Sequence, residues 1–199
     1  MRAPTSIDSA STRALVAEVG SSLADRLTTI TVPMRDLLLQ RVDEISTDPA
    51  LIDLLLASIE GNVVTILRSL QHDINPDNID PPAAAMEYAR RLAQRGVPVS
   101  ALVRAYRLGQ QFLMSQAYTE CEKVAGSSEM FAAAYEEIVQ RCFDYIDWMS
   151  QEVEVAYEGE REAWLANQSN ARAAKVREIL SGAEVDPIDA ERILGYRVR

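Results

Sequence analysis

Apolar positions recur at three- and four-residue steps along nearly the whole chain. That is the period of an amphipathic helix, not the alternation of a strand. Leu15, Val19, Leu23 and Leu27 line one face of a predicted helix that opens at Asp8 or Ser9 and runs to about residue 30. Thr31 and Pro33 predict a restart into a second helix to about residue 45, burying Leu37, Leu38 and Val42. Asp48 before Pro49 is a further start signal, because the carboxylate caps free N–H groups and proline at the first helical position sacrifices no needed donor. The helix it opens, to about residue 70, carries Leu51, Leu54, Leu55, Ile59, Val63, Ile66 and Leu70. Residues 72–80, HDINPDNID, are turn-forming throughout and predict an acidic loop. Pro81 and Pro82 then lead into an alanine-rich helix ending near Arg95.

Gly96 and Pro98 predict a corner. A helix C-terminus favours glycine in the left-handed region, and Pro98 suits the start of the next helix, which runs to about residue 124. Gly126, Ser127 and Ser128 break that helix. From Glu129 to about residue 180 there is no proline and one glycine, Gly159. Tyr135, Val139, Cys142, Ile146, Met149, Val153 and Ala156 alternate four- and three-residue steps, a heptad stripe of about three repeats. The stripe stops at the charged run Glu158, Glu160, Arg161 and Glu162, where a kink or hinge over 159–170 is expected. A short stripe of Ala173, Val176, Ile179 and Leu180 follows, then a stop at Ser181–Gly182. Asp186–Pro187 predicts a last short helix ending at Gly195. The expected fold is therefore all-α: a bundle of about six helices with a long C-terminal output helix.

Composition fits a folded domain. Apolar residues make up 48% of the 199, enough for a core. The net charge of −10 argues against a nucleic-acid surface or an anionic membrane as partner of this chain. Only Lys123 and Lys175 of the 20 basic residues are lysines, a bias that reads as codon usage before function. Cys121 and Cys142 match neither a metal motif nor a disulfide framework and are expected in the core. No signal pattern opens the chain and no uninterrupted run reaches the roughly 18 apolar residues of a membrane span, so a cytoplasmic location is expected.

Candidate chemistry is sparse. His72 is the only histidine, which removes most metal and His-dependent nucleophile arrangements. It could serve a haem only beside an apolar pocket, and its place at a helix end predicts an exposed side chain instead. Asp73, Asp77 and Asp80 do not follow calcium-loop spacing and read as turn and capping residues. Trp148 and Trp164 read as packing or interface anchors. The best ligand-binding candidates are Arg104, Tyr106, Arg107, Gln110 and Gln111 on one helix. Arg104, Arg107 and Gln111 share a face and could fork onto an anion; alternatively the arginines pair with neighbouring carboxylates and Tyr106 packs in the core. No catalytic residue, metal site or cofactor is expected.

Three segments carry a family resemblance: RRLAQRGVPVSALVRAYRLGQ (90–110), EVEVAYEGEREAWL (152–165) and RAAKVREILSGAEVDPIDAERILGY (172–196). Across roughly residues 48–199 the chain resembles the N-terminal regulatory domain of RsbR-type stress-signalling proteins (the RsbRD N-terminal domain) and of PucR/CdaR-like transcription regulators. In the latter, a segment like the third opens a degenerate GGDEF-like module, with a DNA-binding helix-turn-helix further on. In RsbR-type proteins a STAS domain follows instead. The LGY entry at 194–196 favours the PucR/CdaR branch.

The resemblance implies a helical sensor, related in shape to haemless globins, that dimerises and signals through its last helix to domains beyond this chain. The expected division is N-terminal helices over 1–47, a sensor and dimerisation domain over 48–170, and a linker helix with the start of the next module over 171–199. Tyr135, Val139, Cys142, Ile146, Met149 and Val153 are expected along the output helix and dimer seam. The expected partners are a second copy of the chain and an unidentified small molecule or protein. A pure protein-interaction module and a small-molecule or gas sensor are the rivals.

Overall fold

Helix follows helix along the described residues. A computed structural model describes residues 9–45, 48–74 and 79–181. In order come α1 (Ser9–Ala24), α2 (Leu27–Arg41), a 3-10 turn (Asp43–Ile45), α3 (Pro49–His72), α4 (Ala83–Gln94), α5 (Val99–Val124) and α6 (Ser128–Leu180). There is no strand among the described residues, and the architecture is the expected all-α bundle. The expected tail at 1–7, Asp77, the side chains of Ile179 and Leu180, and the short helix after Asp186–Pro187 lie outside the described residues.

α3 is the hub, packing against α1, α2, α4 and α6. By length and composition it could cross a membrane. Here its apolar side chains, among them Leu51, Leu55, Ile59, Val63, Ile66 and Leu70, are buried in the bundle core. Its start follows the sequence signal: the Asp48 carboxylate accepts from the Ala50 N–H at 2.9 Å, with Pro49 in the first turn. Its end is set by Asp73 in the left-handed region (φ 52°), whose N–H donates to the Ser69 carbonyl. Asp73 is thus a capping residue, as expected, and its carboxylate is held by Arg141 from α6.

The first corner differs from expectation. The break falls at Asp25–Arg26, and Pro33 sits inside α2. Thr29 and Pro33 are both exposed, so the carbonyl that proline leaves unpaired four residues back is within reach of water. A distant residue fixes the corner. Glu120 of α5, with its side chain 8% exposed, accepts from Ser22 Oγ at 2.5 Å, Arg26 Nη1 at 3.1 Å and Lys123 Nζ at 2.9 Å. The α4–α5 corner follows the sequence closely. Gly96 has φ 68°, and the Gly96 and Val97 N–H groups donate back to the Ala93 and Leu92 carbonyls.

α6 runs without interruption through the expected hinge, and Gly159 lies in open space within it. At about 1.5 Å per residue it is roughly 80 Å long. Its first part packs into the bundle through Ala134, Ile138, Cys142, Tyr145, Met149, Val153 and Tyr157. This corrects the heptad reading. Cys142, Met149 and Val153 are at most 2% exposed within one protomer, so they have no surface left for a partner helix. Tyr135, Val139 and Ile146, on the flanks of that stripe, are half-buried. The last anchors are Tyr157, whose hydroxyl donates to the Val97 carbonyl at 2.6 Å, and Glu160, which accepts from Gln94 at 2.8 Å. Residues 161–174 are all exposed, so the helix leaves the bundle there.

Candidate functional site

A cavity of about 60 Å³ lies where α2, α3, α4, α5 and α6 converge. Its walls are mostly aliphatic: Met34 and Leu38 from α2, Leu55 and Ile59 from α3, Leu102 and Leu113 from α5, Ile146 from α6. Among the described residues no charged side chain lines it. The polar wall groups are few and unevenly satisfied. Asn62 Nδ2 donates to the Ser58 carbonyl at 2.7 Å and reaches Tyr106 Oη at 3.5 Å. Its Oδ1 accepts from the Tyr145 hydroxyl at 2.9 Å. Two further wall residues, Tyr88 and Gln110, carry a buried polar atom, Oη and Nε2 respectively, with no hydrogen-bond partner among the described residues. Each such orphan costs on the order of 1–3 kcal/mol. Burial pushes the phenols of Tyr88, Tyr106 and Tyr145 well above their ordinary range, so they stay protonated and act as neutral donors.

α5 splits the candidate ligand residues between two faces. Leu102, Tyr106, Gln110 and Leu113 recur at three- and four-residue steps and line the cavity. Arg104, Arg107 and Gln111 fall on the opposite side and are exposed. They make no hydrogen bond or ion pair among the described residues. The arginines therefore neither reach the cavity nor pair with neighbouring carboxylates. Sequence reasoning missed Asn62, Tyr88 and Tyr145. Asn62 had a signal: an amide between Ile59 and Ile66 on the mostly apolar buried face of α3.

The other candidates lie elsewhere. His72 is exposed at the end of α3 and does not line the cavity, which removes the geometry a haem ligand would need. Cys121 and Cys142 are fully buried free thiols, and burial pushes Cys142 up to about 12, so it stays inert. Trp148 packs beside Tyr145 with ring centroids 5.7 Å apart, whereas Trp164 is 40% exposed on the free part of α6. Among the described residues no group of three or more His, Cys, Asp or Glu side chains is placed to hold a metal.

The family model for the RsbT co-antagonist protein rsbRD N-terminal domain matches residues 14–172. The chain belongs to this family. A search of curated proteins and a search of solved structures found no match. The family match brings with it a regulatory, signalling role for this rsbRD N-terminal domain. It begins within α1, well before the stretch at 48–199 on which the sequence resemblance was read. The packing agrees, since Leu15, Val16, Val19, Leu23, Ile30 and Met34 belong to the same core as α3–α6. The match ends at residue 172, after α6 has left the bundle.

Proposed function

We propose that this rsbRD N-terminal domain is the non-catalytic sensor and dimerisation head of a cytoplasmic transcription regulator of the PucR/CdaR type. It passes its signal through α6 to GGDEF-like and helix-turn-helix domains beyond this chain. One observation carries the reading: α6, one of the five helices that wall the cavity, is also the helix that leaves the bundle. Ile146 lines the cavity, Tyr145 beside it is hydrogen-bonded to Asn62, and the same helix runs free beyond Glu160. A molecule that favours one packing of α6 over another would shift the population of tail arrangements by its difference in affinity for the two. Two copies pairing through that exposed tail would turn a small shift at Ile146 into a change between the downstream domains.

The test uses spin labels on an Ala171→Cys variant. The native thiols are buried and leave the label to the new site. The distance distribution between the two tails is compared in otherwise wild-type protein and in Tyr145→Phe. A changed distribution supports signalling through α6. An unchanged one, or no inter-protomer distance at all, ends the reading.

A second reading, a haemless globin-like module acting by protein–protein contact, draws on the α5–α6 corner. There Tyr118, 44% exposed, meets Phe131 and Tyr135 edge-on at 5.1 and 5.4 Å. Such a half-exposed aromatic cluster suits a partner surface.

A further inference from the structure

We infer that the central cavity binds a small uncharged molecule with an apolar body and a hydrogen-bond-accepting oxygen, held by the Tyr88 hydroxyl and the Gln110 amide. The inference rests on the sensor reading and names its ligand class.

Three observations set the chemistry. First, among the described residues no charged side chain lines the cavity. An ion would enter without a counter-charge, and the desolvation penalty for that is prohibitive. The ligand is therefore neutral. Second, Tyr88 and Gln110 are wall residues, and their Oη and Nε2 atoms are buried and unpaired among the described residues. The amide nitrogen can only donate, and a phenol held protonated by burial donates readily. The matching atom is an acceptor: a carbonyl or hydroxyl oxygen. Third, the remaining walls are aliphatic, which fits an apolar body.

Size narrows the class further. The volume of about 60 Å³ is well below the ~150 Å³ of an engineered cavity that takes up benzene. Short ketones, alcohols and amides fit that space. The flexible thioether of Met34 at the wall can give way for a slightly longer body.

Acetone and acetate form a matched pair of probes. They have nearly the same shape, and one is neutral while the other is an anion. Each is titrated into the isotope-labelled domain, following the Gln110 side-chain amide and the Tyr88 ring by NMR. Acetone is expected to give saturable shifts at both, with an affinity no tighter than about tens of micromolar for so few atoms. Tyr88→Phe and Gln110→Leu should each weaken it by about three- to tenfold. Both variants keep the apolar volume and remove an unpaired polar group, so folding is preserved. Acetate shifting the same signals as strongly as acetone overturns the assignment. So does a cavity that answers neither probe and holds only water.

Tail distances from the Ala171 labels separate this inference from the sensor reading. Acetone that binds without changing them upholds the site and ends the sensor reading. Tails that respond to Tyr145→Phe while acetone fails to bind uphold the sensor reading and end the ligand assignment.

Discussion

The Tyr145 hydroxyl donates to Asn62 Oδ1 at 2.9 Å, joining α6 to α3 across 83 positions of sequence. Both side chains are buried, and the same Asn62 holds the Ser58 carbonyl through its Nδ2. The bond therefore fixes the rotational setting of α6 at the level of the cavity. Tyr145→Phe leaves the Asn62 oxygen buried without this donor. It should lower stability by about 1–2 kcal/mol, read from the midpoint of urea unfolding. Adding Asn62→Leu removes the stranded acceptor, and the double variant should lose less than the two single losses combined. Strict additivity would mean that the two residues do not interact.

Gly109 lies on the cavity face of α5, and a Cβ built there meets Met34 Sδ at 3.5 Å, an ordinary contact. Gly109→Ala adds a methyl group and removes the entropic penalty of a mid-helix glycine. The domain should gain about 0.5–1 kcal/mol and a few degrees in Tm. Because the methyl takes up part of the cavity, acetone should bind more weakly to this more stable variant. A Gly109→Ala domain that loses stability would show that α5 and α2 approach more closely than the 3.5 Å contact allows.

Glu120 makes the α1–α2 corner sensitive to acid. Hydrogen bonds from Ser22 and Lys123, helped by the charges of Lys123 and Arg26, hold its carboxyl below the ordinary 4.5. The unfolded chain therefore takes up this proton first as pH falls. The stabilisation is complete above about pH 4.5 and is lost as pH drops below it through the folded-state value. Asp73, held low by Arg141, acts in the same direction but is half-exposed and contributes less. Glu120→Gln should cost about 1–2 kcal/mol at neutral pH and flatten the stability profile below pH 4.5. If the variant and the wild type lose stability in parallel over that range, Glu120 is not the group responsible.

Local signals carried most of the fold. Asp48–Pro49 and Gly96–Pro98 read correctly because their chemistry acts within one turn of backbone. The α1–α2 corner did not, because the group that holds it, Glu120, lies 94 residues from Arg26. The heptad on α6 misled for a related reason: a stripe at three- and four-residue steps reports burial, not what does the burying. Cys142, Met149 and Val153 satisfy the pattern by packing inside their own bundle. The cavity was half legible. Tyr106 and Gln110 were singled out with Arg104, Arg107 and Gln111, yet helix phase puts the first two inside and the other three outside. Tyr88 and Tyr145 gave no local sign, since their roles depend on which helices converge.

That correction moves the expected dimer contact. Met149 is fully buried in the protomer, so Met149→Asp should unfold the bundle and say nothing about pairing. Trp164 and Leu165 are 40% and 55% exposed on the part of α6 that has left the bundle, an unusual exposure for large apolar side chains. If two copies pair through their tails, Trp164→Glu with Leu165→Glu should shift the mass seen by light scattering from dimer to monomer. The urea midpoint of the bundle should stay nearly unchanged, because neither residue belongs to the buried core. A dimer that survives both changes places the contact on the bundle itself. The aromatic corner at Tyr118, Phe131 and Tyr135 is then the next surface to charge. Loss of the dimer there but not at the tail would make α6 an output of an already paired head, not the element that pairs it.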